Sequence, residues 1–131
     1  MAKKVTRSKL VKKLDSIFSQ YIRQRDSEDG LCTCVTCGVQ KPIKQMQNGH
    51  FITRGKYATR WDEENCGSQC VGCNMFKQGE QFKFSRYIDE KHYEGKAEEI
   101  LLKSNQTVKF TDNDITEMIN HYKNKLNEFD K

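Results

Sequence analysis

The chain is expected to fold as an α+β protein, mostly helical, with a small cysteine-pinned centre between N- and C-terminal helices. Three observations predict this. Apolar residues recur at helical spacing in the first 25 residues and again after residue 80. Between these segments lie two Cys-x-x-Cys pairs, Cys34/Cys37 and Cys70/Cys73, separated by 32 residues. The chain is also lean in apolar residues: of 131 residues, 35% are hydrophobic and 31% charged. A core this small needs a staple, and a structural metal is one. One domain is expected over 1–131, comprising a basic N-terminal helix (1–30), a cysteine-bearing centre (31–79) and C-terminal helices (80–131).

Residues 6–25 read as an amphipathic helix, with Leu10, Leu14, Ile17, Phe18 and Tyr21 on one face and Thr6 or Ser8 able to cap it. Asp26–Gly30 reads as a polar turn. Residues 31–53 read as short strands and turns. Gly38 permits a left-handed backbone after Cys37, Gln47–Gly49 signals a turn, and His50–Thr53 has the composition of a strand. Gly55–Gly67 is polar, with Trp61 as its anchor, and Gln69–Lys77 is expected to enter a helix. Beyond residue 80, Phe82, Phe84, Tyr87 and Ile88 supply one helix face, and Ala97, Ile100, Leu101 and Leu102 another. Ile115, Met118, Ile119, Tyr122 and Leu126 supply a third, after a capping-box start at Thr111-x-x-Asp114.

Charge is unevenly placed on a chain of net charge +5. Residues 1–25 carry eight Lys or Arg against one Asp, residues 26–79 balance, and residues 80–131 come to −2. A basic arm ahead of a cysteine module points to a polyanion partner, although a solvated helix face would also account for it. No apolar run approaches the ~18 residues of a membrane span. The basic N-terminus lacks the apolar stretch of a signal peptide, so a cytoplasmic location is expected. There, reduced thiols in this spacing read as metal ligands before disulfides.

The four cysteines Cys34, Cys37, Cys70 and Cys73 match a structural zinc site in type and spacing. Cys32 and Cys66 are close enough in sequence to replace a neighbour or to remain free thiols. Redox chemistry from one CxxC pair would need a thioredoxin-like βαβ context that is missing. A four-cysteine zinc has no open position, so any catalysis needs other groups. His50, between the half-sites, is the candidate base, since a neutral imidazole takes a proton near pH 7. Arg54, Lys56, Arg60 and Lys77 surround it in sequence, and Lys9, Lys12 and Lys13 lie on the first helix; all could contact phosphates.

Cys-x-x-Cys-Gly, Gly49-His50-Phe51, Asn65 and Cys70-x-x-Cys73-Asn74-x-x-Lys77 together resemble the HNH (ββα-metal) nuclease signature with a zinc-bearing frame. That resemblance implies a ββα-metal centre in which His50 is the general base, Asn65 braces the loop and Asn74 holds a catalytic Mg²⁺ or Mn²⁺. One departure is Gly49, where many such nucleases carry an Asp or His as second metal ligand. The metal is then expected to rest on Asn74, phosphate oxygens and water, unless Asp62, Glu63 or Glu64 can reach it. A wider match covers Gly49–Arg54, Ala58–Glu63, Gln69–Gly79, the Lys13-Leu-Asp run and Met118–Lys123. These stretches resemble the phage NinG (Rap) family, associated with recombination and cleavage of branched DNA. The resemblance implies a structure-specific endonuclease for recombination intermediates such as Holliday junctions, working in the host bacterial cytosol. Recombination proteins are implied partners, and paired cuts would suit a homodimer. A zinc-dependent DNA-binding module without cleavage is the alternative.

Overall fold

The computed structural model describes residues 5–129; Lys3 and Lys4 of the basic arm lie outside them. Helix α1 (Arg7–Arg25) starts at Thr6, whose hydroxyl accepts from the Lys9 N–H at 3.3 Å. Its apolar stripe, Leu14, Ile17, Phe18, Tyr21 and Ile22, is buried. Most of that surface packs against the last helix, α5 (Asp112–Phe129), through Ile115, Ile119 and Tyr122. The Phe18 and Tyr122 rings meet edge to face at 4.9 Å, a favoured aromatic geometry. The capping box forms as read: Asp114 N–H donates to Thr111 Oγ1 (3.0 Å) and Thr111 N–H to Asp114 Oδ2 (2.8 Å).

Strands β1 (Ser27–Glu28), β2 (Leu31–Thr33) and β3 (Gln40–Pro42) form a small antiparallel sheet. Asp29 and Gly30, both at positive φ, make the two-residue turn between β1 and β2. Strands β4 (Met46–His50) and β5 (Cys66–Cys70) form a second sheet, in register from Met46↔Cys70 to His50↔Cys66. Helix α2 (Tyr57–Arg60) lies in the connection between them. A π-helical turn (Gly72–Phe76) follows β5 and leads to α3 (Gln81–Lys91) and α4 (Lys96–Ser104). Phe84, Ile88, Ala97 and Ile100 bury the contact between these helices. No helix among the described residues is long and apolar enough to cross a membrane.

Three expectations are corrected. Gln47–Gly49 is strand rather than turn, and the strand ends at His50 instead of running to Thr53. Local turn propensity loses to pairing: Gly49 lies opposite Gly67, and the buried Gln69 side chain crosses directly over it. The stretch from Gln69 stays in the sheet through Cys70, and its helical part is one widened turn from Gly72 to Phe76. The register opposite Met46 holds Cys70 in the strand. Finally, Phe82, Leu101 and Leu102 are exposed, so the faces of α3 and α4 are narrower than their sequences suggest.

Candidate metal centre and adjoining cleft

The two ends of the β4–β5 ladder carry the site. At the Met46↔Cys70 end, the sulfurs of Cys34, Cys37, Cys70 and Cys73 all lie within 4.8 Å of one another. Cys37 and Cys70 are 3.7 Å apart, close to the ~3.8 Å between corners of a tetrahedron with Zn–S bonds near 2.3 Å. Each pair sits on a tight turn. Gly38, at φ +82°, donates its N–H to Cys34 O (2.9 Å), and Cys73 N–H points at Cys70 Sγ (3.4 Å). Burial pushes the Cys34 thiol up, but the Thr36 hydroxyl and several backbone N–H groups outweigh it and bring it down to about 6. Burial and the neighbouring sulfurs push Cys73 up to about 12. Four thiols this close shed their protons together only around a cation, so the donor set fits a metal ion such as zinc.

The other two cysteines are placed differently. Cys32 is buried, with its thiol 3.2 Å from Arg23 O. Cys66 is packed in the α1–α5 cluster beside Trp61, and burial pushes its thiol up.

At the opposite end, His50 Nε2 lies 2.9 Å from the backbone carbonyl of Arg60. A carbonyl only accepts, so Nε2 carries the proton and Nδ1 bears the lone pair of the neutral ring. Burial, aided by the charge of Arg54, lowers the His50 pKa below its ordinary value, against the opposing pull of the Arg60 carbonyl and Asp15. The ring is therefore neutral at pH 7.

The carbonyl that orients His50 is itself held. Arg60 clamps Asp15 of α1 through Nε (3.1 Å) and Nη2 (2.6 Å), and Trp61 Nε1 donates to Asp15 Oδ1 (2.9 Å). Asn65 is fully buried and ties the loop shut. Its Nδ2 donates to Ile52 O and Thr59 O, and its Oδ1 accepts from Ile52 N–H (2.8 Å).

A cleft of 480 Å³ opens beside this network, and Asp15, Gln47, Asn48, His50, Arg54 and Asn74 are among its lining residues. Asn74, on the π-turn, donates through Nδ2 to Gln47 Oε1 at 2.7 Å, which leaves its Oδ1 as the available acceptor. Gly49 has a steric explanation: a Cβ there would meet Gln69 Oε1 at 2.1 Å, so no acidic side chain fits beside His50.

The acidic cluster after Trp61 does not line this cleft. Asp62 pairs with Lys103, Glu63 accepts from the Tyr21 and Tyr122 hydroxyls, and Glu64 pairs with Lys96. The carboxylate that does reach it is Asp15, which the sequence presents only as the end of the Lys13-Leu-Asp run. It sits beside the apolar stripe of α1, and its contacts with Arg60, Trp61 Nε1 and Arg54 (3.8 Å) mark it.

Among the basic candidates, Lys9, Lys12, Lys13, Lys56 and Lys77 are exposed, and Arg54 is exposed at the rim of the cleft. Arg60 differs: its guanidinium is committed to Asp15 and lies 5.5 Å and 5.3 Å from the Tyr57 and Trp61 ring centroids. Arg25, at the end of α1, is likewise structural, donating to Glu63 O and Cys66 O.

Residues 1–131 match the family model described as Bacteriophage Lambda NinG protein. The chain is 34% identical over 74 residues to the ninG proteins of Escherichia phage 933W and Salmonella phage P22, and 32% identical to that of Escherichia phage lambda. Each match covers 56% of this chain and 34–35% of the relative. The chain thus spans about a third of the length of the curated relatives it matches. No solved structure matches it.

Proposed function

The chain belongs to the phage NinG family, and we propose that it is a metal-dependent, structure-specific DNA endonuclease of HNH-like chemistry acting on branched recombination intermediates. The observation that carries this reading is the His50 Nε2···Arg60 O contact at 2.9 Å, because it leaves Nδ1 as a free base at the wall of a cleft. His50 Nδ1 takes a proton from a water molecule, and the water oxygen attacks the phosphorus. The bond from phosphorus to the 3′-oxygen breaks. The 3′-oxygen leaves as a hydroxyl after taking a proton from solvent, and the phosphate stays on the 5′ end.

Asn74 Oδ1 would hold the catalytic divalent ion, Mg²⁺ or Mn²⁺, in this reading. Such an ion, when bound, polarises the phosphate and neutralises charge on the departing oxygen. With no carboxylate at position 49, Asn74 would share such an ion with substrate phosphate and water, as is common for Mg²⁺. Arg54, exposed and lining the cleft with Nη1 3.8 Å from Asp15 Oδ2, would pair with a phosphate oxygen. Asn65 keeps the loop between the strands closed, which holds the Arg60 carbonyl against the imidazole. Zinc at Cys34, Cys37, Cys70 and Cys73 serves the frame and takes no part in the chemistry.

Cleavage of labelled four-way junctions, flaps and linear duplex with Mg²⁺ or Mn²⁺ tests the reading, with His50→Ala as control. Metal-dependent cutting of branched DNA, lost in His50→Ala while binding persists, is the expected result. DNA binding without cleavage under any of these metals would replace the nuclease by a zinc-dependent DNA-binding module.

A further inference from the structure

Two largely exposed aromatic side chains are chain neighbours of cleft-lining residues, Phe76 following Met75 and Phe82 following Gln81. Phe76 is 82% exposed and Phe82 is 74% exposed. Met75 of the same turn as Phe76 is exposed as well, and apolar side chains left open in a group mark contact sites where single ones do not. Phe76 ends the π-turn, and that turn is not loose. Lys77 N–H donates to Gly72 O, Gly79 N–H donates to Cys73 O at 2.8 Å, and the buried Gln69 amide donates to Gly79 O at 2.9 Å. The same turn contains Cys73, so the four-cysteine centre holds it as well. Phe82 lies in the first turn of α3, with the Arg86 guanidinium 5.9 Å from its ring centroid. In the chain between Phe76 and Phe82, Gln78, Gly79 and Gln81 line the cleft.

The charges around the rings choose the partner. Lys77, Lys83 and Arg86 are all exposed. A purely apolar partner would gain nothing from Arg86 against the Phe82 ring or from the lysines that follow each phenylalanine in the chain. Nucleic acid with unpaired bases matches both features: phosphates meet the cations, and a base stacks on a ring or a guanidinium plane. Paired bases inside a duplex keep their faces covered by neighbouring bases.

We infer that Phe76 and Phe82 form a stacking platform for unpaired nucleobases, which selects DNA opened at a branch and lays its backbone along the adjoining cleft. The inference rests on the branched-DNA reading for its ligand, but it concerns binding and not cutting. Stacking is non-ionic, so it adds affinity without adding to the salt dependence.

Binding is therefore measured in the full-length His50→Ala chain with zinc present, so that cleavage cannot intrude. The probes are a single-stranded dT oligonucleotide, a flap with an unpaired arm and a blunt linear duplex. Phe76→Ala and Phe82→Ala should each weaken binding to the first two by about 10-fold. Duplex affinity and the salt slope should not change. Phe76→Trp should retain affinity, and single-stranded dT should quench the introduced indole while duplex does not.

Equal losses on all three probes, no loss on any, or quenching by duplex alone would overturn the platform. So would sedimentation showing that the Phe→Ala variants split a dimer, since the rings would then face a second copy of this chain. A protein that cuts branched DNA without needing the rings would sink this inference alone. One that needs the rings for binding but never cuts would sink only the nuclease.

Discussion

At its Met46↔Cys70 end the β4–β5 hairpin is gathered by four cysteine sulfurs, whereas at its His50↔Cys66 end it rests on the α1–α5 cluster and the Asp15–Arg60–Trp61 network. The first end is small and contains few large apolar side chains, Met46 and Ile43 among them. The second has Leu14, Phe18, Ile22, Trp61, Ile115 and Tyr122. Shape at one end therefore depends on what the thiols bind, and at the other on burial and hydrogen bonding. The proposed base, His50, belongs to the second end, while Asn74 stands one residue beyond the last cysteine of the first. The proposed chemistry across the cleft requires both to be in place.

The largest expected effect comes from removing the metal. Structural zinc in small sites supplies folding free energy on the order of ~10 kcal/mol. Cys70→Ser, or a strong chelator, should unfold the cysteine end and the π-turn. The α1–α5 packing should persist in part, as residual helical circular dichroism. A folded, DNA-binding protein with no bound metal would erase the contrast between the two ends.

Next in size is the loss of the base. His50→Ala should lower cleavage by ~10²–10⁴, with a stability loss of about 1–3 kcal/mol because the Arg60 carbonyl loses its donor. A base acts only when unprotonated. Because burial lowers the His50 pKa, the acid limb of the rate profile should lie below the ordinary value of 6.5. A limb above that value would mean that another group is titrating.

Asp15→Asn sharpens the comparison at the histidine end. The substitution keeps one acceptor oxygen, turns an NH2 towards a guanidinium donor and removes the charge opposite Arg60, a loss of about 1.5–3 kcal/mol. Melting temperature should fall and the His50 ring should reorient, which imidazole nitrogen shifts would report. Metal content should be unaffected, since Asp15 touches no cysteine.

Asn74→Ala tests the other side of the cleft. It removes the proposed neutral ligand, so raised Mg²⁺ or Mn²⁺ should restore part of the cleavage by mass action. His50→Ala should not be rescued in this way. Equal rescue of both would show that the two residues share one role.

The smallest effect is expected far from both ends. Neutralising Lys9, Lys12 and Lys13 on the exposed face of α1 should weaken DNA binding uniformly across sequences and flatten its salt dependence, by up to about 0.9 in slope per lost phosphate contact. An unchanged slope would show that α1 faces away from the DNA.

Much of this was legible in the sequence because it depends on local spacing. Periodicity marked α1, α3, α4 and α5, since a helix repeats its buried face every 3.6 residues whatever packs against it. The two CxxC pairs marked the metal centre, because a turn of that length presents two sulfurs to one point. What only the tertiary structure decided was everything set by partners distant in the chain. Turn-like Gln47-Asn48-Gly49 became strand because β5 offered a ladder and Gln69 needed the space above Gly49. Arg60 left the set of free cations because Asp15, 45 residues away, captured it. The tautomer of His50 followed from a carbonyl ten residues downstream, brought within reach by the buried Asn65. Such contacts leave no period or motif behind. They arise when long-range burial brings polar groups together and each must find a partner in the absence of water.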